Sequence, residues 1–515
     1  MVDLAEQTDL ATSDTSAVDA GRLVGDALLN AAAPIVVAAF SLFSVRLTFR
    51  GLDAEAYGAW IAALTLADSL SFLSLGLGRI ITRHVARQPT PRGRDSFLEG
   101  AWIAHCSVGA VGAIVLIISG LFLPAWLGVA KSGNSWASSL FAAAALAFAA
   151  NQMLSFCNEV LAGQHRFRVT NMVGVVFAAV RLAAVALIAI AGMTPLRIGL
   201  LHASLAIATL VTTLVILQPS RLGVRLLPRR VDMAGVSVHV RFGFLSQIVA
   251  ALSAFTWQCG PLTLGFLFGP AAITAYYVGM RIPAVLLTGA WNITMVLFPA
   301  AASRHAQSLD QQRMLLRVGA RTVVIALAPA VLMTALVPEL LLRAWLGAVP
   351  EGAAFVLRVC SLAVLCDAVA SSSVQLLWGT ANMRRVVYGT AAAALVGGIG
   401  TLALARVGGV GGAALALTAA IATGGSFYVA AALRRTDYTL RRFVSDVFSG
   451  IIGPLAFAGA GIVGTMTAFH PSGLPAVVAI ATGTCIVFYG LYWLRGATPE
   501  ERALVIRARS RLWVR

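Results

Sequence analysis

Apolar runs of about 20 residues recur along this 515-residue chain, with only short connectors between them. A run of that length can cross a bilayer as a helix, because a segment in lipid has to satisfy its backbone hydrogen bonds internally. The composition agrees, since 59% of the residues are hydrophobic and only 11% are charged. The chain is therefore predicted to be an all-α integral membrane protein.

The runs number about fourteen, and each is predicted to be one membrane-spanning helix. They cover residues 28–48, 56–78, 100–128, 136–160, 169–192, 198–217, 243–267, 271–300, 319–341, 353–379, 387–405, 411–433, 448–468 and 474–494. Residues 1–25 are rich in Asp, Ser and Thr and lack the basic start of a signal peptide, so they are expected to form a disordered cytoplasmic tail.

The arginine content of the connectors predicts the topology. One alternate set of connectors is basic and contains Arg79, Arg83, Arg87, Arg92, Arg94, Arg166, Arg168, Arg221, Arg225, Arg229, Arg230, Arg304, Arg313, Arg317, Arg384, Arg385, Arg434, Arg435, Arg441 and Arg442. The positive-inside rule places this set in the cytoplasm, and an even number of spans then places both termini there. The net charge of +17 thus reflects topology in an inner (plasma) membrane, and no nucleic-acid partner is expected.

Several classes of catalyst are disfavoured by what the sequence lacks. No connector has room for a soluble catalytic domain, and the GxxxxGK[ST], HExxH and GxSxG motifs do not occur. The six cysteines lie in apolar runs with no CxxC pair, so neither a metal site nor a disulfide is predicted. We expect no catalytic residues, no metal and no cofactor, and we predict that the protein is not an enzyme.

An internal repeat links the second and eighth runs. Each run follows a glycine, a short linker and an Ala-Tyr pair, at residues 51–57 and 269–276, and each is followed by an Arg-His pair. Six spans separate the two copies, so both copies run in the same direction, as in transporters built from two similar bundles. The repeat predicts an N-lobe over 26–218, a basic cytoplasmic linker over 219–242 and a C-lobe over 243–434, followed by spans 13 and 14 over 435–494 and a basic cytoplasmic tail over 495–515.

The candidate site consists of polar side chains within the predicted spans, since ionisable groups in lipid usually face a cavity or one another. Guanidinium groups match the oxygens of a diphosphate, so Arg281 and Arg181 are the candidate ligands of an anionic headgroup. Asp68 and Asp367 could accept protons or sodium ions to couple a transport cycle, or could neutralise the arginines. Asn292 and Gln258 could bind sugar hydroxyls. The alternative is that these charges form buried pairs and that the amides bridge helices, which would only fix the packing. Tyr276 and Tyr277 are assigned to the interfacial aromatic belt.

Five soft motifs carry a family resemblance. They are Gly51-x4-Ala-Tyr-Gly-x-Trp60, Leu75-Gly-Leu-Gly78 with Thr82-Arg-His84, Leu161-Ala-Gly-Gln-His-Arg-Phe167 before Asn171, Phe298-Pro-Ala300 and Trp345-Leu-Gly347. Over most of residues 28–490 the chain resembles Wzx-type polysaccharide flippases of the multidrug/oligosaccharidyl-lipid/polysaccharide (MOP) exporter superfamily. The resemblance implies two six-helix lobes in a V-shaped, MATE-like arrangement around a central cavity, with two peripheral C-terminal helices.

The resemblance also implies a function. Such proteins move undecaprenyl-diphosphate-linked oligosaccharide repeat units across the inner membrane by alternating access, for exopolysaccharide or lipopolysaccharide synthesis. The implied partners are the lipid-linked oligosaccharide, membrane lipids, a polysaccharide polymerase and glycosyltransferases. Three alternatives stay open: a cation-coupled multidrug exporter of the same superfamily, a peptidoglycan lipid II flippase, and a membrane glycosyltransferase or polymerase.

Overall fold

The computed structural model describes residues 20–74, 77–87, 96–126, 136–218, 233–295, 297, 308–380, 382–499 and 501–502, and within them the regular structure is entirely helical. The helices, in chain order, are α1 Ala20–Gly51, α2 Ala54–Leu70, α3 Leu77–Arg87, α4 Ser96–Trp126, α5 Trp136–Gly163, α6 Phe167–Ala191, α7 Pro195–Leu217, α8 Met233–Phe268, α9 Pro270–Met295, α10 Leu309–Leu336, α11 Pro338–Leu346, α12 Ala353–Gly379, α13 Met383–Thr436, α14 Leu440–Phe448, α15 Ile452–Phe469 and α16 Gly473–Leu491. The Arg-His pair after the eighth run, the tail over 1–19 and most of the basic linker and basic tail lie outside the described residues.

Thirteen of the described helices are long and apolar enough to cross a membrane. One of them, α13, has 54 residues, and Gly409 interrupts it with φ 53° and ψ −133°. The chain reverses there, because Thr390 and Tyr428 lie on opposite sides of the break and their hydroxyl oxygens are 2.7 Å apart. Since α13 therefore holds two antiparallel spans, the described residues contain fourteen, and the predicted fold class is confirmed.

The second predicted span, 56–78, is not one continuous helix. Helix α2 ends at Leu70, a 3₁₀ turn covers Ser71–Ser74, and α3 begins at Leu77. Serine hydroxyls account for the break, because Ser71 Oγ donates to the carbonyl of Asp68 at 2.6 Å and competes with the backbone for that acceptor. The interruption leaves Asp68 in the last turn of α2.

The two lobes have the same pattern of helix packing. In the first lobe α1 packs on α6, α4 on α5, and α5 on α7. In the second lobe, the corresponding pairs are α8 on α13, α10 on α12, and α12 on α13. Helices α15 and α16 pack on each other and on α10, outside both bundles. The exact lobe boundaries stay a prediction.

The lobes meet where the sequence repeat begins in each of them. Helix α2 packs on α9, and Thr274 Oγ1 donates to the carbonyl of Ala54 at 2.6 Å. Gly58 lies against the backbone of Pro270 so closely that a side chain would overlap it. The Ala-Tyr segment of the repeat therefore forms the contact between the lobes at this end of the bundle.

Candidate functional site

Two cavities with polar side chains in their walls lie in the first lobe, and the larger of them also borders α8 of the second lobe. One of about 410 Å³ is bordered by α2, α5, α7 and α8 and is lined by Asp68. The other, of about 250 Å³, is bordered by α1, α5, α6 and α7 and is lined by Arg181. Asn151 and His202 line both cavities, so the two form one polar region within the membrane-spanning bundle.

Arg281 reaches this region from the second lobe. It lies on α9, and its guanidinium donates to the hydroxyl of Ser41 on α1, which lines the smaller cavity. The same guanidinium lies over the ring of Tyr277, 5.7 Å from the ring centroid. Its Nε is buried and has no hydrogen-bond partner. Arg281 is thus held by two neighbours and keeps donor capacity for a ligand.

Arg181 lies within electrostatic range of Arg281, Tyr57 and Tyr277, although the two arginines are on different lobes. Asp68 is also within electrostatic range of Arg281. Neither arginine forms an ion pair with a carboxylate among the described residues. Two guanidinium groups with one nearby carboxylate leave the site positively charged, which favours an anionic ligand.

Local sequence explains how the aromatic wall of this site is positioned. Asp53 caps the start of α2 by accepting from the backbone N–H of Ala56 at 2.7 Å, which fixes the first turn that carries Tyr57. Tyr57 is 2% exposed and meets Tyr277 edge to face, with ring centroids 6.2 Å apart. Tyr276 is also buried and Tyr277 is half-buried, and the assignment of both to an interfacial belt stays a prediction.

The other predicted site residues lie elsewhere. Asp367 is on α12 in the second lobe, within electrostatic range of Tyr428. Asn292 is exposed near the end of α9, and Gln258 is half-buried on α8. None of these three residues lines the two cavities. Arg281 does not line them either, but it donates to Ser41 in the wall of the smaller cavity and interacts electrostatically with Arg181 and Asp68. The structure thus links Arg181, Arg281 and Asp68 and leaves the remaining candidates apart.

Ser41 and His202 are site residues that the sequence did not single out. Serine in a membrane helix usually bonds to its own backbone, as Ser44 does to the carbonyl of Phe40 at 2.9 Å, so Ser41 gave no distinct signal. His202 packs edge to face on Trp60, with ring centroids 5.2 Å apart. In the sequence, both residues could be noticed only as polar residues inside an apolar run. Many other residues share that property, and only the neighbours in the folded structure identify these two as site residues.

No protein-family model matches the sequence, and no curated protein is significantly similar to it. Solved structures do share the fold. The lipid II flippase MurJ in an inward closed conformation matches with a TM-score of 0.70 and 12% identity, over 91% of this chain and 99% of that one. The eukaryotic MATE transporter AtDTX14 matches with a TM-score of 0.55 and 15% identity, over 83% and 98%. The MATE multidrug transporter DinF-BH matches with a TM-score of 0.55 and 15% identity, over 82% and 96%. At these identities the likenesses establish the fold.

Proposed function

We propose that this protein is a MOP-type flippase that moves an oligosaccharide linked to undecaprenyl diphosphate across the membrane by alternating access. The observation that carries this proposal is the pair Arg181 and Arg281, brought together from different lobes without a carboxylate ion-pair partner among the described residues. The similarity in fold to a structure named as a lipid II flippase supports a lipid-linked cargo.

A diphosphate headgroup would stabilise this arrangement. Two like charges in a membrane interior repel each other and are costly to desolvate, so an empty site is unfavourable. A diphosphate offers several oxygens with negative charge, and each guanidinium can donate to them through a planar fork. Arg281 would also respond to the arrangement of the lobes, because it binds Ser41 on the opposite lobe. Binding the cargo would thereby be coupled to the contact between the lobes.

The remaining polar groups of the cavities would meet the sugar and the coupling ion. Asn151, Gln152 and His202 line the larger cavity and can hydrogen-bond to sugar hydroxyls. Asp68 in the same cavity would balance the arginines between transport events or would bind a proton or sodium ion. Asp367, Asn292 and Gln258 stay in the proposal as residues of a cargo path outside these cavities.

The proposed setting is the inner membrane of the cell, with both termini in the cytoplasm, as the arginine pattern predicts. The product would be an outward-facing lipid-linked repeat unit for exopolysaccharide or lipopolysaccharide. A polymerase would consume it, and glycosyltransferases would supply its precursor.

A second candidate function, multidrug export, has one observation in its favour. Asp68 provides a carboxylate in the cavity, and two of the structures that share the fold are named as MATE transporters. A cationic drug would, however, meet the two arginines there. The two functions thus predict opposite charge preferences for the same site.

Measuring which lipids and dyes bind to the purified protein distinguishes the two functions. We expect undecaprenyl diphosphate to bind more tightly than neutral undecaprenol, and Arg281→Gln or Arg181→Gln to lower its affinity about tenfold or more. Arg168→Gln is the matched control, because Arg168 is an exposed arginine at the start of α6, away from the cavities. Equal affinity for the two lipids, or a cationic dye that binds more tightly than the diphosphate, would reject the proposal.

A further inference from the structure

Helix α11 lies between the first lobe and the two peripheral spans. It comprises nine residues, Pro338–Leu346, and packs on α1 of the first lobe as well as on α10 and α12 of its own lobe. It also packs on α16 of the peripheral pair. A helix of this length is too short to cross a bilayer by itself, so these neighbours determine where it lies.

Arg50 joins the end of α11 to the first lobe. It lies in the last turn of α1, and its Nε donates to the carbonyl of Leu346, the last residue of α11, at 2.7 Å. The last carbonyls of a helix lack partners within the helix and carry partial negative charge, so a guanidinium stabilises them. Arg50 is exposed and forms no ion pair with a carboxylate among the described residues. It can therefore leave Leu346 without breaking a second charged contact.

The glycine that follows α11 leaves room for this arginine. Gly347 ends the helix with φ 85°, and its N–H donates to the carbonyl of Arg343. A Cβ at Gly347 would overlap the guanidinium of Arg50. The turn and the approach of the other lobe thus both require glycine at the end of the Trp345-Leu-Gly347 motif.

Trp345 and two leucines extend this contact with the first lobe. The indole N–H of Trp345 donates to the carbonyl of Leu42 on α1 at 3.1 Å. Leu342 and Leu346 are buried in one cluster with four residues of the first lobe, namely Leu52, Ala56, Tyr57 and Trp60. We call the bonds made by Arg50 and Trp345 the latch, because both join α11 to α1 across the boundary between the lobes.

The other side of α11 faces the peripheral pair. Leu340 belongs to a buried cluster with Ile462 of α15 and Ile480 of α16. Leu340 and Leu342 are two positions apart, so they lie on different sides of the helix. Within a few residues, α11 therefore contacts both the first lobe and the peripheral spans, and closely packed elements of this kind transmit displacements to one another.

We propose that α11 couples the peripheral spans to the closure of the lobes. The latch holds this end of the bundle closed, and the contacts with α15 and α16 hold α11 where the latch can form. The lobes can separate at this end only after Arg50 and Trp345 release their carbonyls, so a displacement of α11 shifts the balance between open and closed forms. The inference rests on the alternating access of the proposed function but does not depend on the identity of the cargo.

Alkylation of a buried cysteine measures how often this end opens. Ala56 is 2% exposed within the cluster that joins the lobes. In a variant without the six native cysteines, Ala56→Cys should react with a maleimide only when the lobes separate. When the lobes close again faster than the thiol reacts, the rate is proportional to the open fraction. The experiment uses the purified full-length protein in detergent with no cargo added.

Removing the arginine of the latch should raise the alkylation rate. We expect Arg50→Gln to raise it about fivefold, because the end of α11 loses a charge-assisted hydrogen bond. Arg197→Gln is the matched control, because Arg197 makes the same kind of bond within the first lobe. It donates to the carbonyl of Ala191 at the end of α6 at 2.8 Å, so its loss should leave the rate unchanged.

Two glycine variants separate the latch from backbone strain. Gly347→Ala should displace Arg50 and raise the rate by a similar factor. Gly352→Ala places a side chain at nearly the same φ, 80°, but its Cβ would only touch Val410 at 3.5 Å. It should leave the rate unchanged although the backbone strain is similar.

A third pair of variants tests the peripheral spans. Ile480→Ala leaves a cavity beside Leu340, so we expect α11 to shift and the rate to rise about threefold. Phe488→Ala removes a larger buried side chain from the same helix, but its cluster contains no residue of α11. It should leave the rate unchanged, whereas general destabilisation would raise the rate more in Phe488→Ala than in Ile480→Ala.

Three results would overturn the proposal. Equal rates in Arg50→Gln and Arg197→Gln would mean that the latch does not hold the lobes. Equal rates in Ile480→Ala and Phe488→Ala would mean that the peripheral spans do not act through α11. A thiol at Ala56→Cys that reacts as fast as in the unfolded chain would mean that this end is not closed. All these rates are measured without cargo, so they stand whether or not the protein binds undecaprenyl diphosphate.

Discussion

The guanidinium of Arg281 donates a hydrogen bond to the hydroxyl of Ser41, a residue 240 positions earlier and on the opposite lobe. This bond connects a charged group of the candidate site to the relative position of the two lobes. A ligand that draws Arg281 into the cavity would compete with Ser41 for the same donor. The contact is therefore a physical route by which binding could change the arrangement of the lobes.

Removing the Ser41 hydroxyl tests this route. We expect Ser41→Ala to raise the affinity for undecaprenyl diphosphate about tenfold, because the ligand would no longer compete with Ser41 for Arg281. A hydrogen bond to a charged group contributes about 1.5–3 kcal/mol. Ser44→Ala is the matched control, since Ser44 lines the same cavity but donates to Phe40 within its own helix. Titration of both variants with the lipid measures the effect. Equal affinities for the two variants would show that the bond between the lobes does not matter for binding.

Gly58 tests whether the close approach of α2 and α9 is part of a working cycle. A side chain at Gly58 would overlap the backbone of Pro270, so Gly58→Val should hold the two helix ends apart. Overpacking of this kind costs about 1–3 kcal/mol, so we expect disulfide cross-linking between Ala54→Cys and Thr274→Cys to slow at least about fivefold. In contrast, Gly289→Val on α9 adds its side chain to open space and should cross-link normally. If Gly58→Val cross-links at the unmodified rate, the contact is too loose to report on lobe closure.

A buried arginine fastens the two peripheral spans to the second lobe. Arg321 on α10 is 5% exposed and pairs with Glu501 at 2.6 Å. The same guanidinium donates to the carbonyl of Ser449 at 2.7 Å, to the carbonyl of Gly496 at 3.1 Å and to the Tyr492 hydroxyl at 3.1 Å. These acceptors lie before α15 and after α16, so one side chain fixes both ends of the peripheral pair.

Loss of this arginine should destabilise the protein. Arg321→Gln leaves Glu501 and several carbonyls without their donor, and breaking a buried pair in this way costs about 3 kcal/mol or more. Arg358→Gln removes an exposed arginine that donates to one carbonyl, that of Ala335, and should change stability much less. Thermal unfolding in detergent, followed by tryptophan fluorescence, measures both. A similar melting temperature for the two variants would mean that Arg321 does not fasten the spans.

The same pair predicts a pH dependence. Burial opposes ionisation of Glu501, but the hydrogen bonds that it accepts from Arg321, the Thr498 N–H and the Tyr492 hydroxyl, together with the charge of Arg321, outweigh this effect and hold the pKa of Glu501 below its ordinary value of 4.5. The stabilisation is therefore complete above about pH 4.5 and is lost as the pH falls through the lowered pKa of the folded state. We expect Glu501→Gln to lack this part of the acid sensitivity, as measured by melting temperature from pH 7 to pH 3. Parallel pH curves for the two proteins would contradict the assignment.

Substitution of Gly409 should strain the backbone more than substitution at any other position in α13. Its φ of 53° with ψ of −133° is a conformation that side chains strongly disfavour, and a Cβ there would meet nothing within 4 Å. Gly409→Ala should therefore cost about 1–3 kcal/mol from backbone strain alone. Gly408→Ala, also in open space but with helical backbone, should be neutral or slightly stabilising. Equal melting temperatures would mean that the chain can reverse direction without a glycine.

The sequence predicted the spans well because lipid imposes one rule on every segment, namely about 20 apolar residues with internal hydrogen bonds. It also located the repeat, whose Ala-Tyr segments contact each other through Thr274 and Ala54. Two features depended on tertiary structure instead. The break after Leu70 comes from serine hydroxyls bonding locally. Asp367 is on the opposite lobe from Arg181, and although it shares the second lobe with Arg281, it lies near Tyr428 on α13 instead. Periodicity within one span determines neither placement.

The most direct test of the proposed function is translocation by the purified protein in proteoliposomes. A fluorescent oligosaccharide linked to undecaprenyl diphosphate is placed in both leaflets, and a membrane-impermeant reagent reports the fraction that reaches the outside. We expect the unmodified protein to make nearly all of this lipid accessible, Arg281→Gln to leave only the outer half accessible, and Arg168→Gln to behave like the unmodified protein. The proposed function would be contradicted if the unmodified protein left the inner half protected but transported a cationic dye when an ion gradient was imposed.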